Sequence, residues 1–66
     1  MSVARVTEVI SSSSKSFDDA IKKGVKRATK TLENVSGVWI KDQSLDIRND
    51  EVVSYKVVLK VTFILK

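Results

Sequence analysis

Tyr55 Lys56 Val57 Val58 Leu59 Lys60 Val61 Thr62 Phe63 Ile64 Leu65 Lys66 decides the fold. Tyr55, Val57, Leu59, Val61, Phe63 and Leu65 recur at a period of two, with Ser54, Lys56, Lys60 and Thr62 opposite them. That alternation is the pattern of a strand with one buried face. At 3.3 Å per residue it reaches roughly 35 to 40 Å, longer than a globule of this size is wide. The strand must therefore curve around a partner surface or run on into a neighbouring subunit.

Size points the same way. A chain of 66 residues hides only about 60% of its unfolded surface, and its core yields about 3 to 5 kcal/mol. Chains this small are commonly held by disulfides, a metal or partners. The sequence has no Cys and no His, which removes disulfides, structural zinc and His- or Cys-based catalysis. Oligomerisation is the remaining common route to stability.

The composition, 42% hydrophobic and 30% charged with two Gly and no Pro, is that of a folded domain. We read residues 1–66 as a single domain. Met1 Ser2 Val3 Ala4 Arg5 Val6 carries no signal-peptide pattern, and no apolar run is long enough to span a membrane. A cytoplasmic location is the expectation. The net charge of +4 admits a nucleic-acid reading, but the basic residues are spread along the chain, as solubility alone would have them.

Upstream, Val3 to Ile10 reads as a first strand whose apolar residues do not select one face. Ser11 Ser12 Ser13 Ser14 Lys15 Ser16 reads as a tight loop, with Ser16 capping a helix and Asp18 and Asp19 at its positive end. Phe17, Ala20, Ile21, Gly24, Val25, Ala28 and Leu32 form the helix's apolar stripe. Gly24, mid-helix on that stripe, marks a close approach of helix to sheet. Lys22, Lys23, Lys26, Arg27 and Lys30 occupy the rest of the helix surface. They are a solvated face or, in the alternative reading, a nucleic-acid contact without stacking aromatics.

A second strand is expected to begin near Gly37. Val38 and Ile40 share one parity, Leu45 and Ile47 the other, which predicts a β-bulge near Asp42 Gln43 Ser44. Arg48 Asn49 Asp50 Glu51 supplies the last turn. The predicted fold is α+β with the order β-α-β-β: one helix packed on a curved three-stranded antiparallel sheet, whose other face is left for partners.

That order, the serine-rich turn, Arg27 Ala28 Thr29 Lys30 Thr31 Leu32 at the helix end and Val57 Val58 Leu59 Lys60 Val61 Thr62 Phe63 together resemble the dodecins, over nearly the whole chain. The resemblance implies a hollow homododecamer associated with flavin (FMN or riboflavin). In flavin-binding dodecins a Trp at the start of the second strand stacks on the isoalloxazine and a Gln in the third strand bonds its polar edge. Those positions fall here on Gly37 and Lys56, so the resemblance implies weakened flavin binding. Asp42 matches an acidic position of the family's ligand site.

Trp39 has two readings: an aromatic displaced along the strand that still stacks on a flat ligand, or a side chain burying area between subunits. Lys56 either pairs with a phosphate or Asp42, or is a solvated rim residue. Tyr55 Lys56 Val57 and the missing Trp resemble a branch of the family linked to calcium. Asp42, Asp46, Asp50 and Glu51 are the available oxygen ligands for calcium or magnesium, without the spacing of an EF-hand loop; they are equally ordinary surface acids.

The sequence offers no nucleophile–base pair and no phosphate-cradling glycine loop. The reading is a non-catalytic homododecameric shell that binds, stores or buffers a small ligand. The alternative is a small basic nucleic-acid-binding module using the helix lysines.

Overall fold

In a computed structural model that describes residues 3–65, the order is β1 (Val3–Ser13), α1 (Phe17–Thr31), β2 (Val35–Arg48) and β3 (Glu51–Leu65). The three strands form one antiparallel sheet in the order β1-β3-β2, and α1 lies against one face of it. Lys66, quoted above as the end of the last strand, lies outside the described residues.

The central position of β3 follows from its alternation. Val57, Leu59 and Val61 are each 0% exposed, and with Ala20 they form the core on which Val9, Phe17, Ile21 and Val38 pack. The stripe read from the sequence is the buried face of α1, with Ala20, Gly24 and Ala28 inside. Leu32 closes the helix as its C-cap instead of extending it, with its N–H donating to Ala28 O at 2.9 Å.

Two lengths decide the shape. A 15-residue helix is about 22 Å long, and a 15-residue strand is about 50 Å. The molecule measures 51 × 18 × 13 Å, so α1 covers only the middle of β3. Leu65, expected on the buried face, is 46% exposed for this reason. At the other end, beyond the edge-to-face pair of Phe17 and Tyr55 (centroids 5.2 Å apart), β2 and β3 run on as a two-stranded arm. The arm turns at Asn49 and Asp50, whose φ angles of 53° and 63° are those of a type I′ hairpin.

The serine run is the main departure from the sequence reading. Ser11–Ser13 belong to β1 and pair with Val57, Lys56 and Tyr55, leaving only Ser14 and Lys15 before the cap. The helix-facing serines stand where α1 passes closest, and Ser13 is buried. Its hydroxyl donates to the Asp19 carboxylate at 2.5 Å and accepts from the Lys15 N–H at 2.9 Å. A small hydroxyl satisfies the corner where a larger residue would push the helix away. Ser16 caps as expected, accepting from the Asp19 N–H at 3.0 Å. The Ser13 hydroxyl first, then Lys23, hold the Asp19 carboxyl below its ordinary pKa of 3.8.

β2 begins at Val35, before Gly37, and its register shifts between Ile40 and Asp42, with further shifts at Val35/Gly37 and Asp46/Ile47. The extruded residue is therefore Lys41, just ahead of the expected bulge. Val38, Ile40 and Leu45 pair with Val61, Leu59 and Tyr55 on the helix-facing side. Only Val38 packs on the core: Leu45 and Ile47 lie on the arm beyond α1, and Ile40, on an edge strand beside Leu59, keeps one side open to solvent. Ile40, Leu45 and Ile47 are 48%, 45% and 58% exposed. The unaligned apolar residues of β1 are also explained. Val9 opposes Leu59 on the helix side, whereas Val6 and Ile10 oppose Thr62 and Val58 on the free face.

Candidate functional site

The free face of the sheet carries the candidate ligand residues. β3 contributes its even-numbered residues, including Lys56, Val58, Lys60 and Thr62, because successive strand side chains alternate. Gly37 pairs with Thr62 and Trp39 with Lys60, with no shift between them, so both belong to this face. Past the bulge, Asp42 pairs with Val58 and Ser44 with Lys56, which returns Asp42 to the same face.

These residues are not brought together within one chain. Thr62, opposite Gly37, and Lys56 lie about 20 Å apart along β3. A ligand touching both positions would need a second copy. Asp42 sits between them, diagonal to Lys56. Among the described residues Lys56 makes no ion pair with Asp42, the pairs being Lys22–Asp18, Lys23–Asp19 and Lys41–Glu8. At Gly37 an added Cβ would meet nothing within 4 Å, so the space for a side chain there is open. The chain thus keeps room at the expected stacking position without the ring to fill it, and presents Lys56, which has donors only, at the hydrogen-bonding position.

Trp39 is 60% exposed. It borders a groove of about 520 Å³ formed with Val6, Ile40, Lys41 and Lys60. The bulge builds this groove: extruded from β2, Lys41 reaches over the central strand to Glu8 of β1, with Nζ 3.2 and 3.3 Å from the two carboxylate oxygens. Both groups are nearly half exposed, so the pair contributes at most about 1 kcal/mol. Its larger effect is to set a charged strap beside the indole. Lys60 stands between Glu8 and Trp39 in the sheet and, among the described residues, has no carboxylate within ion-pair distance.

Lys41, Lys60 and Val6 were not singled out by the sequence reading. Lys60 was legible as a residue of the polar face, but the lateral reach of Lys41 depends on which residue the bulge extrudes. The acids proposed as cation ligands remain dispersed: Asp42 and Asp46 oppose Val58 and Ser54, and Glu51 opposes Arg48 at the hairpin end. Among the described residues no three acids gather around one point. On the outer helix face, Lys22 and Lys23 are paired with Asp18 and Asp19 at 3.1 and 3.2 Å, which offsets part of the charge a nucleic acid would meet. No helix among the described residues is long and apolar enough to cross a membrane.

Solved dodecins share this architecture. The dodecin of Streptomyces davaonensis is 28% identical, with a TM-score of 0.92 over 98% of this chain and 96% of its own. A mutant of Thermus thermophilus dodecin is 30% identical, with a TM-score of 0.92 over 100% and 98%. The calcium dodecin of Mycobacterium tuberculosis, described as calcium-chelating with a novel calcium-binding site, is 22% identical, with a TM-score of 0.84 over 97% and 91%. That last likeness bears on fold alone. No curated protein matches the sequence. The Dodecin family profile, however, matches residues 3–66, and with the β-α-β-β fold and its free sheet face already described, this chain belongs to the dodecin family.

Proposed function

We propose that the protein is a non-catalytic subunit of a homododecameric shell, acting as one unit over residues 1–66, that binds, stores or buffers a small ligand. The observation that carries this reading is the apolar surface one chain leaves uncovered. Among the described residues its core holds five buried hydrophobics, Ala20, Ala28, Val57, Leu59 and Val61, while Leu45, Ile47, Val52 and Val53 of the β2–β3 arm are each more than 40% exposed. A projecting apolar arm on so small a core is stabilised when copies pack upon it.

The ligand site lies on the free sheet face, with Gly37, Trp39, Asp42 and Lys56 as its residues, completed between copies. A flat, flavin-like compound is one ligand, with the Trp39 indole as its stacking surface. Flavin binding is weaker than in dodecins with a Trp and a Gln at the positions of Gly37 and Lys56, since a lost ring contact and a mismatched hydrogen bond together cost at least about 1.4 kcal/mol, or tenfold. Calcium or magnesium is the other ligand class, with Asp42 and Asp46 of neighbouring copies as the oxygen donors.

Light scattering of the purified protein, recorded with its visible absorption, tests the reading. The expected particle contains about twelve 7.4 kDa chains; a stable monomer would overturn it. Melting with millimolar calcium or magnesium and then with a chelator separates the ligand classes, because an ion bound only by the folded state raises the melting temperature.

A further inference from the structure

We propose that the groove of Val6, Trp39, Ile40, Lys41 and Lys60 selects flat aromatic molecules that carry a negative charge, with Lys60 as the residue that reads the charge. The inference rests on the reading that Trp39 stacks a ring there, and goes beyond it by naming the ligand's charge and the residue responsible.

The argument is charge complementarity on one patch. The groove's lining holds an exposed indole and two ammonium groups and no carboxylate. Facing it, Glu8 of β1 is engaged by Lys41, and Asp42 lies beyond the bulge opposite Val58. Lys60 is the direct cross-strand neighbour of Trp39. A pair like this has Cβ atoms about 5 Å apart, so a ring on the indole carries its substituents within reach of the Lys60 ammonium. Lys41 also borders the groove, with its ammonium paired to Glu8 in the unliganded chain. An uncharged ring gains only stacking and apolar burial against Trp39 and Val6. An anionic ring gains in addition an ion pair with the exposed Lys60 ammonium, which is strongest at low salt, where surface charges are least screened.

Riboflavin and FMN test this directly, because they share a ring and differ by a phosphate. Titrated into the purified assembly and followed by quenching of Trp39, the lone Trp of the chain, FMN is expected to bind about five- to tenfold more tightly than riboflavin at low salt. The ratio should fall toward one in molar salt, where screening acts over about 3 Å. Lys60→Gln should lower the ratio at low salt, whereas Lys30→Gln, the same loss of charge on the remote helix, should not. Equal affinities with Trp39 quenched would overturn the charge selectivity and leave the stacking reading intact. Equal losses in Lys60→Gln and Lys30→Gln would overturn the role of Lys60 in favour of net charge. No quenching by either flavin would overturn both.

Discussion

Gly24 of α1 lies directly over Leu59 of β3: a Cβ built on the glycine would stand 2.7 Å from Leu59 Cδ1 and 3.1 Å from Ser11 Cβ. Leu59 is 0% exposed, so its methyl can yield only by turning against the core side chains around it, and Ser11 is held by its strand. Gly24→Ala gains about 1 kcal/mol of helix propensity but meets an overpacking cost of about 1 to 3 kcal/mol. We expect a net loss of about 1 kcal/mol in urea denaturation at fixed protein concentration, and a larger one for Gly24→Val. A stabilised alanine variant would mean that the helix is free to lift.

Leu59 and Val61 form the centre of the core, both 0% exposed. An aspartate at either site would be a buried, unpaired charge beneath α1. Leu59→Asp and Val61→Asp should each abolish folding and assembly together, as seen by circular dichroism and light scattering. Soluble, assembled variants would show that this face of β3 is not the buried one.

The Asp19 carboxyl, with its pKa lowered by the Ser13 hydroxyl and Lys23, ties stability to acid. Its folded pKa lies below its unfolded value, so its contribution is complete above the unfolded value near 3.8 and is lost as pH falls through the folded one. Ser13→Ala removes the largest cause of the shift. An NMR titration should show the Asp19 pKa rising in that variant, and the acid unfolding midpoint should move to higher pH. An unchanged Asp19 titration would mean that Lys23 alone sustains the shift.

Thr62 Oγ1 is buried with no hydrogen-bond partner among the described residues. An unsatisfied buried hydroxyl costs about 1 to 3 kcal/mol, and valine has the same shape with higher strand propensity. Thr62→Val should therefore stabilise the protein by about 1 kcal/mol in thermal or urea unfolding. Destabilisation would mean that the hydroxyl finds a partner in the assembly.

Gly37 has open space around it, so Gly37→Trp can introduce a ring without a clash within the chain, and Lys56→Gln adds the acceptor that lysine lacks. The double variant is expected to bind FMN or riboflavin at least tenfold more tightly than the parent, about 1.4 kcal/mol, in a fluorescence titration. No gain would place the weakness in the shape of the site between copies.

The period-two alternation of β3, the apolar stripe of α1, the Ser16 cap and the meaning of Gly24 were all legible in the sequence, because each is a local pattern read against a fixed period or cap geometry. With the family resemblance they sufficed for the β-α-β-β order and for putting Gly37 and Trp39 on one strand face. Pairing across the sheet decided the rest. Ser11–Ser13 have weak strand propensity and join β1 only because Val57, Lys56 and Tyr55 offer them a ladder. Parity required a bulge in β2 but could not say where, since a shift anywhere between Ile40 and Leu45 realigns the same residues. Only the register with Val58 and Leu59 extrudes Lys41, and that choice carries its ammonium to Glu8 and walls the groove beside Trp39. The separation of Gly37 from Lys56 likewise depends on where each falls along β3. Register is set by contacts distant in sequence, and a one-residue slip changes every neighbour while leaving the alternation itself unaltered.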